Sequence, residues 1–227
     1  MTPYNSKNTL DWSGVYTGTL PCANCEDIPT MIQINKDGSY IIEKLYRGAN
    51  QRTDRVVGRY GWNITGNNII FNVDKNTTAA YYAVGENKIT QLNLEGKSMS
   101  GAMAEKYVLQ KLPPIVEKYW KLIEINGRAI SNSMNGREPH LILKGIDKRA
   151  RGNGGCNNFS GTYQVSDDTR ISFSQIAATK MACQNVEMES ELFRVFEMAD
   201  NYAVLNDTLS LNKARMTSLA KFVAVTK

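Results

Sequence analysis

Residues 30–48 read TMIQINKDGSYIIEKLYRG, two β-rich runs on either side of Lys36-Asp37-Gly38. Met31 to Asn35 alternate inward and outward as a half-buried strand does, and an Asp-Gly pair between such runs marks a hairpin turn. Outward from this hairpin the same pattern recurs from Leu10 to Lys111. WSGVYTGTL precedes it, and VVGRYGWNI, IIFNV, AAYYAVG, KITQL and EKYVLQK follow, punctuated by Thr65-Gly66-Asn67-Asn68 and Glu86-Asn87. Short strands at this spacing predict an all-β barrel or sandwich over residues 10–111, without a helix of useful length. Residues 1–9 are polar and aperiodic and read as a flexible tether.

Leu112-Pro113-Pro114 interrupts the strands, because adjacent prolines neither extend a helix nor donate to a ladder. Residues 112–115 therefore read as a linker and 116–227 as a second domain. Its strand-like runs are EKYWKLIEI, RAI, PHLILKG, TYQVSDD, RISFS, YAVL, TLSLN and AKFVAV, with turns at Asn126-Gly127, Asp167-Asp168 and Asn206-Asp207. NVEMESELFRVFEMADNY differs. Met188, Leu192, Val195, Phe196 and Ala199 fall at i, i+4, i+7, i+8 and i+11, one face of a helix. Asn185 can cap it, Glu187 and Glu189 suit its positive end, and Asn201 can end it. The second domain thus reads α+β, an antiparallel sheet covered by one main helix.

A chain of 227 residues suits two domains, each of about 100 residues. The net charge of +5 is spread evenly, with 12 Lys+Arg against 10 Asp+Glu in residues 1–111 and 15 against 12 in residues 115–227. Neither half carries the basic stripe and motif of a nucleic-acid binder. The cluster Lys144, Lys148, Arg149 and Arg151 reads as a solvated loop, with an anionic surface such as lipid head groups as the alternative. No run approaches the roughly 18 apolar residues of a membrane helix, and the opening residues lack the charged-then-apolar pattern of an export signal.

The four cysteines, Cys22, Cys25, Cys156 and Cys183, are even in number, which favours bridges in an oxidising compartment. Loop-closure entropy assigns about 3.6 kcal/mol to closing the span from Cys156 to Cys183 and about 1.9 kcal/mol to the Cys22 to Cys25 loop. Cys22 and Cys25 form a CxxC whose spelling is shared by several chemistries. A redox dithiol needs a helix start after the motif, whereas Pro29 and a β run follow here. Zinc needs four ligands, and His140 is the one histidine. Two thiolates plus a thioether suit Cu(I). A bridge that shapes a strand-to-loop corner is the plain structural reading, and Cu(I) is its rival.

Other residues carry less. Met99, Met103 and Met181 could supply thioethers, although methionine is more often an adaptable core filler. GNGGCNNFSG lacks the Gly-Lys-Ser/Thr ending of a P-loop and the setting of a dinucleotide fingerprint. No nucleophile, base and orienting group assemble around His140 or Asp167-Asp168, so no catalytic residue is assigned and the chain reads as a non-enzyme.

Residues 12–110, through Gly14-Val15-Tyr16, GTLPCANC at 18–25, Asp37-Gly38, Tyr46-Arg47-Gly48 and Tyr60-Gly61-Trp62, resemble the N-terminal domain of the NlpE (copper homeostasis) family. The resemblance implies a small lipocalin-like β-barrel and a lipid-anchored N-terminus at the outer membrane, facing the periplasm or the surface. It also implies a part in copper tolerance and in reporting envelope stress to a two-component system. Residues 116–225, through Trp120-Lys121-Leu122, Asn126-Gly127, GGCNNFSGTY at 154–163 and ATKMAC at 178–183, resemble the META (HslJ-like) domain. Its members are commonly envelope or secreted proteins tied to stress, without an established catalytic site. The expectation is an exported envelope protein that binds or senses an envelope protein or a small ligand. Its rivals are a Cu(I) binder through Cys22 and Cys25, and a barrel carrying a small apolar ligand.

Overall fold

The computed structural model describes residues 4–49, 51–71, 79–130, 136–167, 169–183, 187–214 and 217–225. The chain divides into two compact units, Met1–Pro114 and Ile115–Lys227.

The first unit is a closed meander of eight antiparallel strands: β1 (Gly14–Leu20), β2 (Ile28–Ile34), β3 (Ser39–Tyr46), β4 (Arg52–Trp62), β5 (Asn68–Phe71), β6 (Ala80–Gly85), β7 (Lys88–Gln91) and β8 (Val108–Lys111). Pairing of Tyr16 and Thr17 with Lys111 and Gln110 closes the ring between β1 and β8. Alternation turns one face of each strand inward. Tyr16, Leu20, Ile32, Ile34, Tyr40, Ile42, Ile69, Phe71, Tyr82, Val84, Ile89 and Leu109 form a continuous buried cluster there. The Phe71 ring lies 4.6 Å from Tyr40 and 5.4 Å from Tyr82. Side chains therefore occupy the interior where an apolar ligand was one expectation.

The stretch read as a tether is partly structured. Ser6–Thr9 forms a helical turn, α1, with Asn5 accepting from the Asn8 N–H. The Trp12 indole donates to Lys7 C=O at 3.0 Å, and Tyr16 Oη donates to Trp12 C=O at 2.6 Å. Four residues are too few to show a helical period, so composition alone missed them. The linker is also shorter than expected. The Leu112 N–H donates to Val15 C=O at 2.7 Å, and Ile115 is buried in the second unit, where its carbonyl accepts from the Trp120 indole.

The second unit comprises β9 (Tyr119–Ile125), β10 (Arg128–Ala129), β11 (His140–Leu143), β12 (Arg149–Asn153), β13 (Asn158–Ser166), β14 (Arg170–Ala178), α2 (Glu187–Met198), β15 (Asn201–Leu205), β16 (Thr208–Asn212) and β17 (Ala220–Val225). The antiparallel sheet returns on itself, since β17 pairs with β9 over residues 220–225 and 119–125. Asn126 and Gly127 both have positive φ, 48° and 76°, as a two-residue hairpin turn of the primed type requires. Met188, Leu192, Val195, Phe196 and Ala199 are all buried, and the Phe196 ring packs 5.2 Å from Phe159 and 4.8 Å from Phe173. The expected cap Asn185 and the second turn residue Asp168 lie outside the described residues, as do Asn72 and Val73 of the IIFNV run.

The basic cluster is corrected by the fold. Arg149 and Arg151 lie on a strand between β11 and β13 rather than in a loop, whereas Lys144 and Lys148 do fall in the β11–β12 connection. Three of the cluster's four charges are held: Lys144 pairs with Glu117, Arg151 with Asp147, and Arg149 donates to Ser160 Oγ at 2.8 Å.

Candidate functional site

The four cysteines form two bonds, one in each unit. Cys22 and Cys25 are joined across the β1–β2 connection, with Cα atoms 5.3 Å apart. Ala23 and Asn24 between them are exposed. The loop is fastened to the β3–β4 connection by backbone bonds from Glu26 N–H to Arg47 C=O and from Arg47 N–H to Asp27 C=O, both 3.0 Å. An ion pair from Arg47 to Asp27 lies beside them at 3.5 Å. The other oxygen of Asp27, Oδ1, is buried without a hydrogen bond. No helix follows Cys25; the chain enters β2. As a bonded pair these sulfurs offer no thiolate, either as nucleophile or as metal ligand.

Lys44 lies on the inward face of β3 near this end of the barrel, opposite Thr30 of β2 and Asp54 of β4. Burial pushes its ammonium below the ordinary lysine range, partly countered by Asp54. At the opposite end Lys111 bridges to Asp11 at 2.9 Å and holds that carboxyl below its usual range.

In the second unit Cys156 is bonded to Cys183, with Cα atoms 6.1 Å apart. The glycine-rich turn before Cys156 resembles an anion cradle and is filled by the protein's own carboxylate. Glu189, from the first turn of α2, accepts the Cys156 N–H at 3.2 Å and the Asn157 N–H at 2.6 Å on Oε2, and Asn157 Nδ2 at 2.8 Å on Oε1. A Cβ on Gly154 would come within 2.7 Å of the Glu189 side chain. Asn157 Oδ1 accepts from Thr179 Oγ1 and the Met181 N–H, at 2.8 and 2.7 Å, and Asn153 Oδ1 accepts the Gly155 N–H at 2.7 Å. This closed network leaves no donors aimed at a phosphate. Sequence reading gave Glu189 only a role at the helix dipole; an acid in a first helical turn beside a separate Gly-Gly-Cys-Asn turn was the available signal.

The remaining candidates are scattered. The His140 ring stacks on Tyr119 at 4.4 Å, and its Nδ1 lies 2.9 Å from Glu138 C=O. Asp167 occupies a turn with φ 50°, and Met103 and Met181 are exposed. A cleft of about 280 Å³ beside the β13–β14 hairpin is lined by residues including Gln164, Ser166, Arg170, Ser172 and Asp200, away from the cysteines. Among the described residues no three or more of His, Cys, Asp and Glu gather as metal ligands, and no helix is long and apolar enough to cross a membrane.

A disulfide-bonded barrel followed by a disulfide-bonded closed sheet defines a two-module β protein. The chain belongs to the META domain family, matched over residues 113–226, with an NlpE N-terminal domain matched over residues 16–102 in front of it. Lipoprotein NlpE of Escherichia coli (strain K12) is 30% identical over 81 residues, 36% of this chain and 34% of that protein. The chain thus spans about a third of the length of that relative. Among solved structures, a putative lipoprotein from Shewanella oneidensis is 37% identical, covering 48% of this chain and 96% of that one at a TM-score of 0.45. The Cpx pathway activator NlpE from Escherichia coli is 15% identical, covering 73% and 94% at a TM-score of 0.34.

Proposed function

We propose that the protein is an exported, lipid-anchored component of the bacterial cell envelope that binds or senses a partner and does not catalyse. The carrying observation is that every cysteine is spent in a bridge, one per module, which suits an oxidising compartment. Likeness to a lipoprotein supports the lipid anchor, and the relative described as a Cpx pathway activator supports a stress-reporting role with an envelope partner. The exposed loop at Cys22 and Cys25 on the barrel rim is the surface assigned to contact, because the interior is occupied by side chains.

The test places the chain behind an export and lipidation signal in an Escherichia coli strain lacking its own NlpE, with a transcriptional reporter of the Cpx pathway. Overproduction is expected to raise the reporter several-fold and to place the protein in the membrane fraction. An exported, folded chain that leaves the reporter at baseline removes the stress role. The Cu(I) alternative requires the Cys22–Cys25 bond to be reduced. It fails if a Cys22→Ser, Cys25→Ser double variant binds Cu(I) as well as the reduced parent.

A further inference from the structure

The two most exposed large apolar side chains of the described residues are Tyr4, at 94%, and Ile64, fully exposed. They are 60 positions apart in sequence, yet they flank one junction. The Lys7 N–H donates to Gly66 C=O at 3.0 Å, the Ser6 N–H to Asn67 Oδ1 at 3.0 Å, and Ser6 Oγ to Val84 C=O at 2.8 Å. These bonds fix α1 against the β4–β5 turn. Tyr4, just before α1, and Ile64, within the turn, are thereby held out from the same end of the barrel. That end also carries the β2–β3 and β6–β7 turns, with Lys36, Glu86 and Lys88 exposed, and Lys7 is exposed on α1. Nearby Asp11 is neutralised by Lys111, and Arg59 donates to the carbonyl of Asp37. Lys7, Lys36, Arg59 and Lys88 against the exposed carboxylates of Asp37 and Glu86 leave the rim basic.

We propose that this end of the barrel rests on an anionic phospholipid surface, with Tyr4 and Ile64 entering the interface and Lys7, Lys36 and Lys88 facing the head groups. A phenol and an aliphatic side chain exposed at one end of the barrel, rimmed by amines, suit the boundary between acyl chains and head groups. A neutral protein partner would leave the amines unused. Two such residues give weak, reversible contact, effective when a second attachment holds the chain nearby. The proposal builds on the lipid anchoring proposed above, and its test does not need that anchor.

The full chain, held by an N-terminal hexahistidine tag on vesicles bearing a nickel-chelating lipid, is compared by amide hydrogen exchange on phosphatidylglycerol-containing and pure phosphatidylcholine membranes. Exchange over residues 63–67 is expected to slow several-fold on the anionic vesicles relative to free protein, and to return to the free rate in a Tyr4→Ser, Ile64→Ser variant. Both substitutions lie on exposed positions, so folding is retained. Unchanged exchange on anionic vesicles, or protection that survives the double substitution, overturns the proposal. Equal protection on phosphatidylcholine overturns the anionic assignment. A positive result here with an unresponsive Cpx reporter would remove the stress role alone.

Discussion

At Glu189 one carboxylate accepts two backbone N–H groups and a side-chain amide in a buried setting. Removing it leaves those donors without water or partner, which costs about 3–5 kcal/mol by analogy with broken buried charged networks. Glu189→Ala is therefore expected to lower the unfolding free energy of the second unit, read from urea titration, by that amount and leave the first unit unchanged. Lys44 is the opposite case, a charge that the fold tolerates at a cost. Burial lowers its folded pKa below the unfolded value of 10.5, so in the intervening window the unfolded chain holds a proton that the folded chain sheds. The cost is complete below the folded pKa and fades as pH rises towards 10.5. Lys44→Met should stabilise the barrel by roughly 0.5–1 kcal/mol at neutral pH. Urea titrations of parent and variant at pH 7 and pH 10 should show that advantage narrowing.

Elements were legible where a period or a turn chemistry stood alone. The DG hairpin between β2 and β3 and the apolar face of α2 follow from alternation and from the 3.6-residue repeat, because each buries one face. β12 was hidden since Arg149-Ala150-Arg151-Gly152-Asn153 has one apolar side chain to show. Its inward position is met by Ala150, fully buried, and by Gly152, where a Cβ would collide with His140 C=O. Close backbone approach thus replaced hydrophobic pattern as the reason for the strand. The closure of β17 onto β9 was likewise illegible, because pairing between strands about 100 residues apart leaves no local trace. The same holds for the candidate sites. The CxxC could be weighed from its neighbours, whereas the meeting of Glu189 with the Gly-Gly-Cys-Asn turn depends on how α2 is laid down.

For the whole molecule, the decisive feature is that each unit carries its own closed sheet, its own core and one disulfide. Two cores without shared strands should unfold in two calorimetric transitions, since cooperativity follows the packed unit. Reduction should act on them unequally. The bond from Cys156 to Cys183 spans 27 positions and that from Cys22 to Cys25 only 3, which corresponds to about 3.6 against 1.9 kcal/mol of loop-closure entropy. For domains of this size those losses translate into falls of about 15 °C and about 8 °C. Adding a phosphine reductant should therefore separate or reorder the two transitions, with the larger fall in the unit that also responds to Glu189→Ala. A single transition that moves as one under reductant would mean the modules unfold as one body, and equal shifts would mean that loop length does not govern what each bridge contributes.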